Sequence, residues 1–338
     1  YYAAGCIKYG TYRGGSFQMT ENKFDYRKIL SKYSIVLVLI VIMIACTFAN
    51  SSFLTANNLI NVCRQQSVII ILAFGEMILI ICGQLDLSCG SVIALAGVLS
   101  VMTYKSTQSM ALAFIVAIAV SVAVNFLNGL MVTKFMTPAF IATLATQTMA
   151  RGAALYITNG QNIYEIGNYT IVGQGSIGII PIPVIFMFCI FILMAYMMRH
   201  TCWGRSTYAV GGNAEAANAA GINTKMVTMK AYLFNGILVG IAAVLFMSRV
   251  NGGLPAGASG YEMDGLTATI VGGTSFTGGI GTPWGTVIGA FVVGFLGNVM
   301  NLMSIDSYIQ QIVKGAIIAF AVIWDITSKS RQTYKKGK

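Results

Sequence analysis

A chain of 338 residues that is 56% hydrophobic, 9% charged and has a mean hydropathy of +0.75 carries far more apolar side chain than a water-soluble domain can bury. Those proportions exclude a soluble globular protein and describe a polytopic membrane protein. The formal charge of +11 sits on basic residues outside the apolar runs, so it points to topology and the lipid surface and away from nucleic acid.

Residues 1–33 read as a cytoplasmic N-terminal segment. Met19 opens a polar Thr-Glu-Asn-Lys stretch ahead of the first apolar run, so it is expected to be the natural start, with 1–18 a non-native extension. That first run is a full span without a small-residue cleavage site, and no cleavable signal is expected. Counting runs near the ~20 residues needed for a crossing gives roughly ten helices. They cover 34–48, 58–82, 91–104, 109–133, 138–158, 180–198, 231–249, 265–279, 284–303 and 308–326. Continuous apolar runs without alternation exclude a β-barrel. A transmembrane domain is therefore expected over 34–327, with a long polar loop at 199–230 and a basic tail at 328–338. Lys and Arg residues cluster before the first run, in the 199–230 loop and after the last run. This distribution places all three regions, and both termini, in the cytoplasm.

Several polar residues interrupt the runs. Glu76 lies inside the second, where an acid costs several kcal/mol unless it is neutral, paired or wet. Two readings stay open: a neutral acid bonded to a neighbouring helix, or a group lining a pathway. Cys82-Gly-Gln-Leu-Asp-Leu-Ser-Cys-Gly-Ser91 then breaks the helix, with Asp86 and Ser88 at membrane depth, where irregular backbone survives only beside protein or water. Asn125, Asn128, Gln147 and Arg151 follow. Gln147 and Arg151, four apart, share a helix face. The amides serve equally as helix glue or pore lining, whereas the arginine cannot shed its charge cheaply. Lys314 sits near the end of its run, where it can snorkel.

The 199–230 loop contains a short helix signal. Gly211 and Gly212 break what precedes, Asn213 caps, Glu215 suits a first turn, and Gly221 before Ile222 is a natural stop. About two turns are too short to stand alone in water, and Ala216, Ala217 and their neighbours give a smooth surface. A connecting loop and a piece shaped for a groove in another protein are both open. Farther on, Gly272, Gly273, Thr274, Gly279, Gly281 and Thr282 form a second Gly-rich break. No Gly-Lys-Ser/Thr follows it and no βαβ unit surrounds it, so neither a phosphate loop nor a dinucleotide site is expected.

The seven cysteines are scattered and read as small apolar residues. Cys82 and Cys89 have no histidine or third cysteine nearby, so no metal is expected. Phe126-Leu-Asn-Gly-Leu-Met131 echoes Phe295-Leu-Gly-Asn-Val-Met300 from oppositely oriented positions, the pattern of an inverted repeat.

Four stretches in order resemble the permease subunits of ribose-type ABC sugar importers. They are Gly83 to Ser91, Tyr208 to Asn223, Gly260 to Thr282 and Ser307 to Gly315, within a similarity running from about Ser34 to Asp325. The resemblance implies an all-α permease without catalytic residues or cofactors of its own. It implies as partners a cytoplasmic ABC ATPase that binds ATP and Mg, an extracellular or periplasmic binding protein that delivers a sugar, and a second permease copy, in a bacterial inner membrane. The 213–222 helix would be the coupling helix, with Gly212, Asn213, Glu215, Ala216, Ala217, Gly221 and Ile222 at the ATPase. Asp86 and the 272–282 segment would belong to the transport core. Gln84, Cys89 and Glu76 depart from the family's usual residues, which leaves the solute open. The alternative is an ion-coupled secondary transporter in which Glu76 or Asp86 is protonated.

Overall fold

The computed structural model describes residues 26–336, with side chains from 35 to 327. The expected start at Met19 and the charges before the first run and in the tail lie outside the described side chains. The chain divides at Ser34, and of the first unit the described residues contribute only the opening turns of α1. The remainder of the fold belongs to the second unit, Ile35–Lys338.

Helices α1 Tyr26–Ala49, α2 Ala56–Ile81, α3 Cys89–Thr107, α4 Met110–Thr133 and α5 Ala139–Ile157 come first. A connecting segment then holds a 3-10 turn at Gly167–Thr170, α6 Ile171–Gln174, and an antiparallel hairpin of β1 Ser176–Ile177 and β2 Ile180–Pro181. Next come α7 Ile182–His200, α8 Cys202–Gly212, α9 Ala214–Ala219 and α10 Thr224–Arg249. The last three are α11 Tyr261–Val271, α12 Pro283–Leu302 and α13 Ser307–Lys336. Among the described residues seven helices are long and apolar enough to cross a membrane: α2, α3, α4, α7, α10, α12 and the 307–327 part of α13. The fold is an all-α membrane protein. Against the ten expected runs, α5, α11 and the described apolar part of α1 fall outside that set of seven. α11 differs most: it has 11 residues, and the rest of its expected run is irregular.

Local chemistry sets the ends. Ser109, Thr201, Asn223 and Thr282 each cap a helix by accepting a backbone N–H in its first turn. Pro183 and Pro283 stand in the first turns of α7 and α12, where a missing N–H costs nothing. α2 ends in a left-handed glycine: Gly83 (φ +75°) donates to the Ile80 carbonyl and Gln84 to that of Leu79. α11 ends the same way, with Gly273 (φ +84°) on Ile270 and Thr274 on Thr269.

Helices α2 and α10 form the centre; 89% of the most apolar stretch of α2 is buried inside the chain, against none for α13 at the rim. Apolar attraction between helices is weak in lipid, so close backbone packing has to hold the bundle. At the α4–α10 crossing a Cβ on Gly240 would meet Ile118 Cα at 2.6 Å, and one on Gly236 would meet Val122 Cα at 2.8 Å. Gly240→Leu is therefore expected to destabilise the detergent-solubilised protein by about 1–3 kcal/mol. Thermal unfolding measures this, with Gly297→Ala, which faces open space, holding the native midpoint.

Candidate functional site

Where α2 stops, the chain surfaces at Gly83 and dives back, leaving Asp86 fully buried three residues later. The break is thus packed inside the protein everywhere except its apex. Asp86 holds it. Its Oδ1 accepts from Ser88 N at 2.8 Å, Ser88 Oγ at 2.5 Å and Asn128 Nδ2 at 3.4 Å. Its Oδ2 accepts from Asn235 Nδ2 at 2.8 Å. Asn235 also donates to Asn125 Oδ1 at 3.0 Å, and Thr146 Oγ1 donates to Asn128 Oδ1 at 2.7 Å. One cluster thereby joins the α2–α3 turn to α4, α5 and α10.

Glu76 completes the cluster from the last third of α2. It accepts from Asp86 N at 3.4 Å, and Cys89 Sγ lies 3.1 Å from its Oε1 and 3.3 Å from Asp86 Oδ2. Cys89, expected to be a small apolar residue, is instead a polar partner of both acids, because the turn folds its thiol back into the cluster. Among the described residues no lysine, arginine or histidine hydrogen-bonds to either acid. Two enclosed carboxyls without a cation cannot both ionise cheaply.

The seven residues expected to line a pathway therefore separate. Glu76, Asp86, Ser88, Asn125 and Asn128 are fully buried together, whereas Gln147 and Arg151 stand half-buried on α5. Gln147 Nε2 donates to Glu262 Oε1 at 3.3 Å, and one Arg151 Nη atom donates to the Pro255 and Gly257 carbonyls at 2.8 Å each. The shared face of Gln147 and Arg151 thus meets the first turn of α11, through Glu262, and the 255–257 loop ahead of it. Lys314, placed where it can snorkel, pairs with Asp264 across α13 and α11 at 2.8 Å.

At the end of the bundle where α2 finishes, a third group gathers. α8 runs as a helix through Gly211 to Gly212, so these glycines end a helix rather than a loop. Gly211 is needed for space: a Cβ there would strike the Ile81 carbonyl oxygen, and Gly279 N lies 2.7 Å from the same point. Gly279 N donates to that carbonyl at 2.9 Å, satisfying a group left open by the end of α2. Tyr208 donates its hydroxyl to the Gly281 carbonyl at 2.8 Å. Burial pushes the Tyr208 phenol above its ordinary range, which keeps it a donor. Gly272 packs against the Gly285 backbone, Thr274 is buried, and Thr282 caps α12 through Gly285 N.

Directly after this junction comes α9. Asn213 Oδ1 accepts from Ala216 N at 2.9 Å, as the sequence led us to expect. Gly221 (φ +84°) closes the far end, donating to Asn218 while Ile222 donates to Ala217. Ala217 faces inward and is buried, whereas Ala214, Glu215, Ala216 and Asn218 are exposed.

Sequence reasoning did not select Glu262, Asn235, Thr146, Tyr208 or Asp325 as site residues. Asn235 was visible as an amide inside an apolar run, and Glu262 as an acid between Gly260 and Gly265. Nothing local marked Asp325, whose Oδ2 accepts from Ser275 Oγ at 2.9 Å and Phe276 N at 3.1 Å.

Residues 58–322 match the family described as branched-chain amino acid transport system / permease component. The ribose import permease protein RbsC of Bacillus subtilis is 34% identical over 311 residues, covering 91% of this chain and 97% of that protein. RbsC of Escherichia coli K12 is 36% identical over 302 residues, 88% and 94% of the two chains. The L-arabinose transport system permease protein AraH of E. coli K12 is 31% identical over 306 residues, 90% and 93% of the two. No solved structure matches the chain.

The hydrogen-bond pattern separates the two buried acids. Asp86→Asn turns one of the two acceptor oxygens into a donor facing donors and is expected to cost about 1–3 kcal/mol. Glu76→Gln keeps the shape, leaves one of the two acceptors of its contacts with Asp86 N and Cys89 Sγ in place, and is expected to cost less than about 1 kcal/mol. Thermal unfolding of the two variants in detergent measures the difference.

Proposed function

The chain belongs to the family of branched-chain amino acid transport system permease components, and from that premise we propose that it is the membrane-spanning subunit of an ATP-driven importer. Its cargo in this reading is a monosaccharide or related small polar solute handed over by an extracellular or periplasmic binding protein. Relatives named for ribose and arabinose, similar along nearly their whole length, support that solute class. The energy comes from a separate cytoplasmic ATPase, which binds the ATP and Mg, and the permease itself supplies a path and a handle.

The observation that carries the reading is α9. It is a six-residue helix, capped at Asn213 and stopped at Gly221, whose outward face is small and exposed. So short a helix gains little from its own hydrogen bonds, and a smooth alanine face fits a groove. Gly212, Asn213, Glu215, Ala216, Ala217, Gly221 and Ile222 form the docking element or hold its shape.

Topology agrees with this placement. Ile81, Gly211 and Gly279 meet at one end of the bundle, which requires α3 to leave that end, α4 to return to it and α12 to leave it again. The echoing segments on α4 and α12 then run in opposite directions, as an inverted repeat demands. In this reading the chain crosses ten times, counting α1, α5 and α11 with its irregular tail, with the α9 end and both termini cytoplasmic in an inner membrane.

The solute path follows half-buried Gln147 and Arg151 with buried Glu262 behind them, and a second copy of the chain closes that row against lipid. Polar and charged groups at this depth are costly unless protein or water covers them. The sealed group around Asp86 holds the broken turn beside the path and the 272–282 segment holds α12, both as parts of the transport core. An ion-coupled transporter would draw on Glu76 and Asp86 instead, and it would have no use for α9.

The test is ATP hydrolysis and uptake in liposomes holding the chain with its co-purified ATPase subunit, native against Glu215→Lys. Reversing an exposed charge at the dock is expected to weaken assembly or hydrolysis roughly tenfold while the permease stays folded. Proton-driven uptake that needs no ATPase and ignores this substitution would replace the importer with the ion-coupled transporter.

A further inference from the structure

Resting on the reading of α9 as the docked element, we infer that the backbone junction of Ile81, Gly211 and Gly279 carries its displacement to the buried turn at Asp86. Tyr208 and Asp325 are the positioning residues that keep this junction closed.

The junction has no side chain that can yield. A Cβ on Gly211 would collide with the Ile81 carbonyl, one on Gly278 would lie 2.7 Å from the Gly211 carbonyl, and one on Gly279 would lie 2.9 Å from Gly212 Cα. Three backbones therefore touch directly, and the Gly279 N–H to Ile81 carbonyl bond ties two of them. Close-packed backbone transmits displacement, whereas flexible side chains absorb it by changing rotamer. α9 begins two residues after Gly212, so a push on it acts on α8 almost at once. On the other side Ile81 is the last residue of α2 and Asp86 follows it by five positions. A shift of Ile81 must therefore be taken up by the broken turn, whose far end the Asp86 cluster fixes to α4 and α10.

The Gly-rich loop could part from α8 were it not held from two sides. Tyr208 holds it from α8 itself, by the bond to the Gly281 carbonyl. Asp325 holds it from α13, by accepting from Ser275 Oγ and Phe276 N. The loop closes on itself where Ser275 N donates to the Ile280 carbonyl at 2.9 Å, so the two grips act on one unit. Neither residue lies on α9 or in the polar row of the solute path. Their effect on transport would therefore pass through the junction.

The experiment uses the complex of the full chain with its ATPase subunit in liposomes, comparing native protein with Tyr208→Phe, Asp325→Ala, the double variant and Asp325→Asn. The quantity read is solute uptake per ATP hydrolysed, alongside subunit ratio and thermal midpoint. The inference expects uptake per ATP to fall about tenfold in the double variant while assembly and midpoint hold, with Asp325→Asn recovering much of the Asp325→Ala loss. An unchanged ratio in a fully assembled double variant overturns the inference and leaves the importer reading standing. A loss that only tracks a lower midpoint overturns it too, by showing a structural role. Should the native chain carry no ATPase, the importer reading fails, and the linkage fails with it.

Discussion

Breaking a helix inside hydrocarbon leaves N–H and carbonyl groups that water cannot reach, and the Asp86 carboxylate is the means by which this chain bears that cost. One side chain accepts a backbone N–H and a hydroxyl from Ser88, which shapes the first turn of α3, and amides from α4 and α10, which fix where that turn lies. α2 stops cleanly because Gly83 can adopt a left-handed conformation, and its last carbonyl is satisfied by Gly279 from a distant loop. The centre of the bundle thus depends on two accounts being closed together. The carboxylate closes one and the Gly-rich loop closes the other.

Much of this arrangement was legible in the sequence where the governing interactions are short in range. Asn213, Gly221 and Gly83 act through bonds to residues at most four positions away, so cap and stop chemistry locates them. Glu76 and Asp86 announced themselves by cost alone, since an acid in an apolar run must face inward. Polarity in a helix also showed Gln147 and Arg151 on one face, and the structure brings that face to the start of α11 and the loop before it.

What stayed hidden is long in range or looks ordinary. The bond from Asn235 to Asp86 joins residues 149 apart, and that from Ser275 to Asp325 joins residues 50 apart, so no periodicity contains them. Cys89 looks apolar by composition, and only the fold of the turn puts its thiol between two carboxyls. Gly211 and Gly212 read as helix breakers because glycine is a poor helix former. α8 does end at Gly212, but the tertiary reason for Gly211 was out of sight: the space that its Cβ would need belongs to Ile81. Gly211 thus carries a tertiary meaning besides its local one.

The division of polar groups into a sealed set and a half-open row has a mechanical sense. A transport path must let its cargo go, so its lining has to keep donors and acceptors that water or solute can take in turn. Groups whose bonding is completed within the protein cannot serve that purpose without first breaking those bonds. The Asp86 cluster is close to this second kind, with Asn235 Oδ1 its unpartnered atom among the described residues, and its value is stiffness: a shift of α2, α4 or α10 relative to the others must stretch hydrogen bonds that have no substitute nearby. Gln147 and Arg151 keep a half-exposed edge beside that stiff body, where α5 meets buried Glu262 of α11 and the 255–257 loop ahead of it. A rigid unit that carries an open polar edge, and is gripped at one end through bare backbone, can rock as a piece without its interior rearranging.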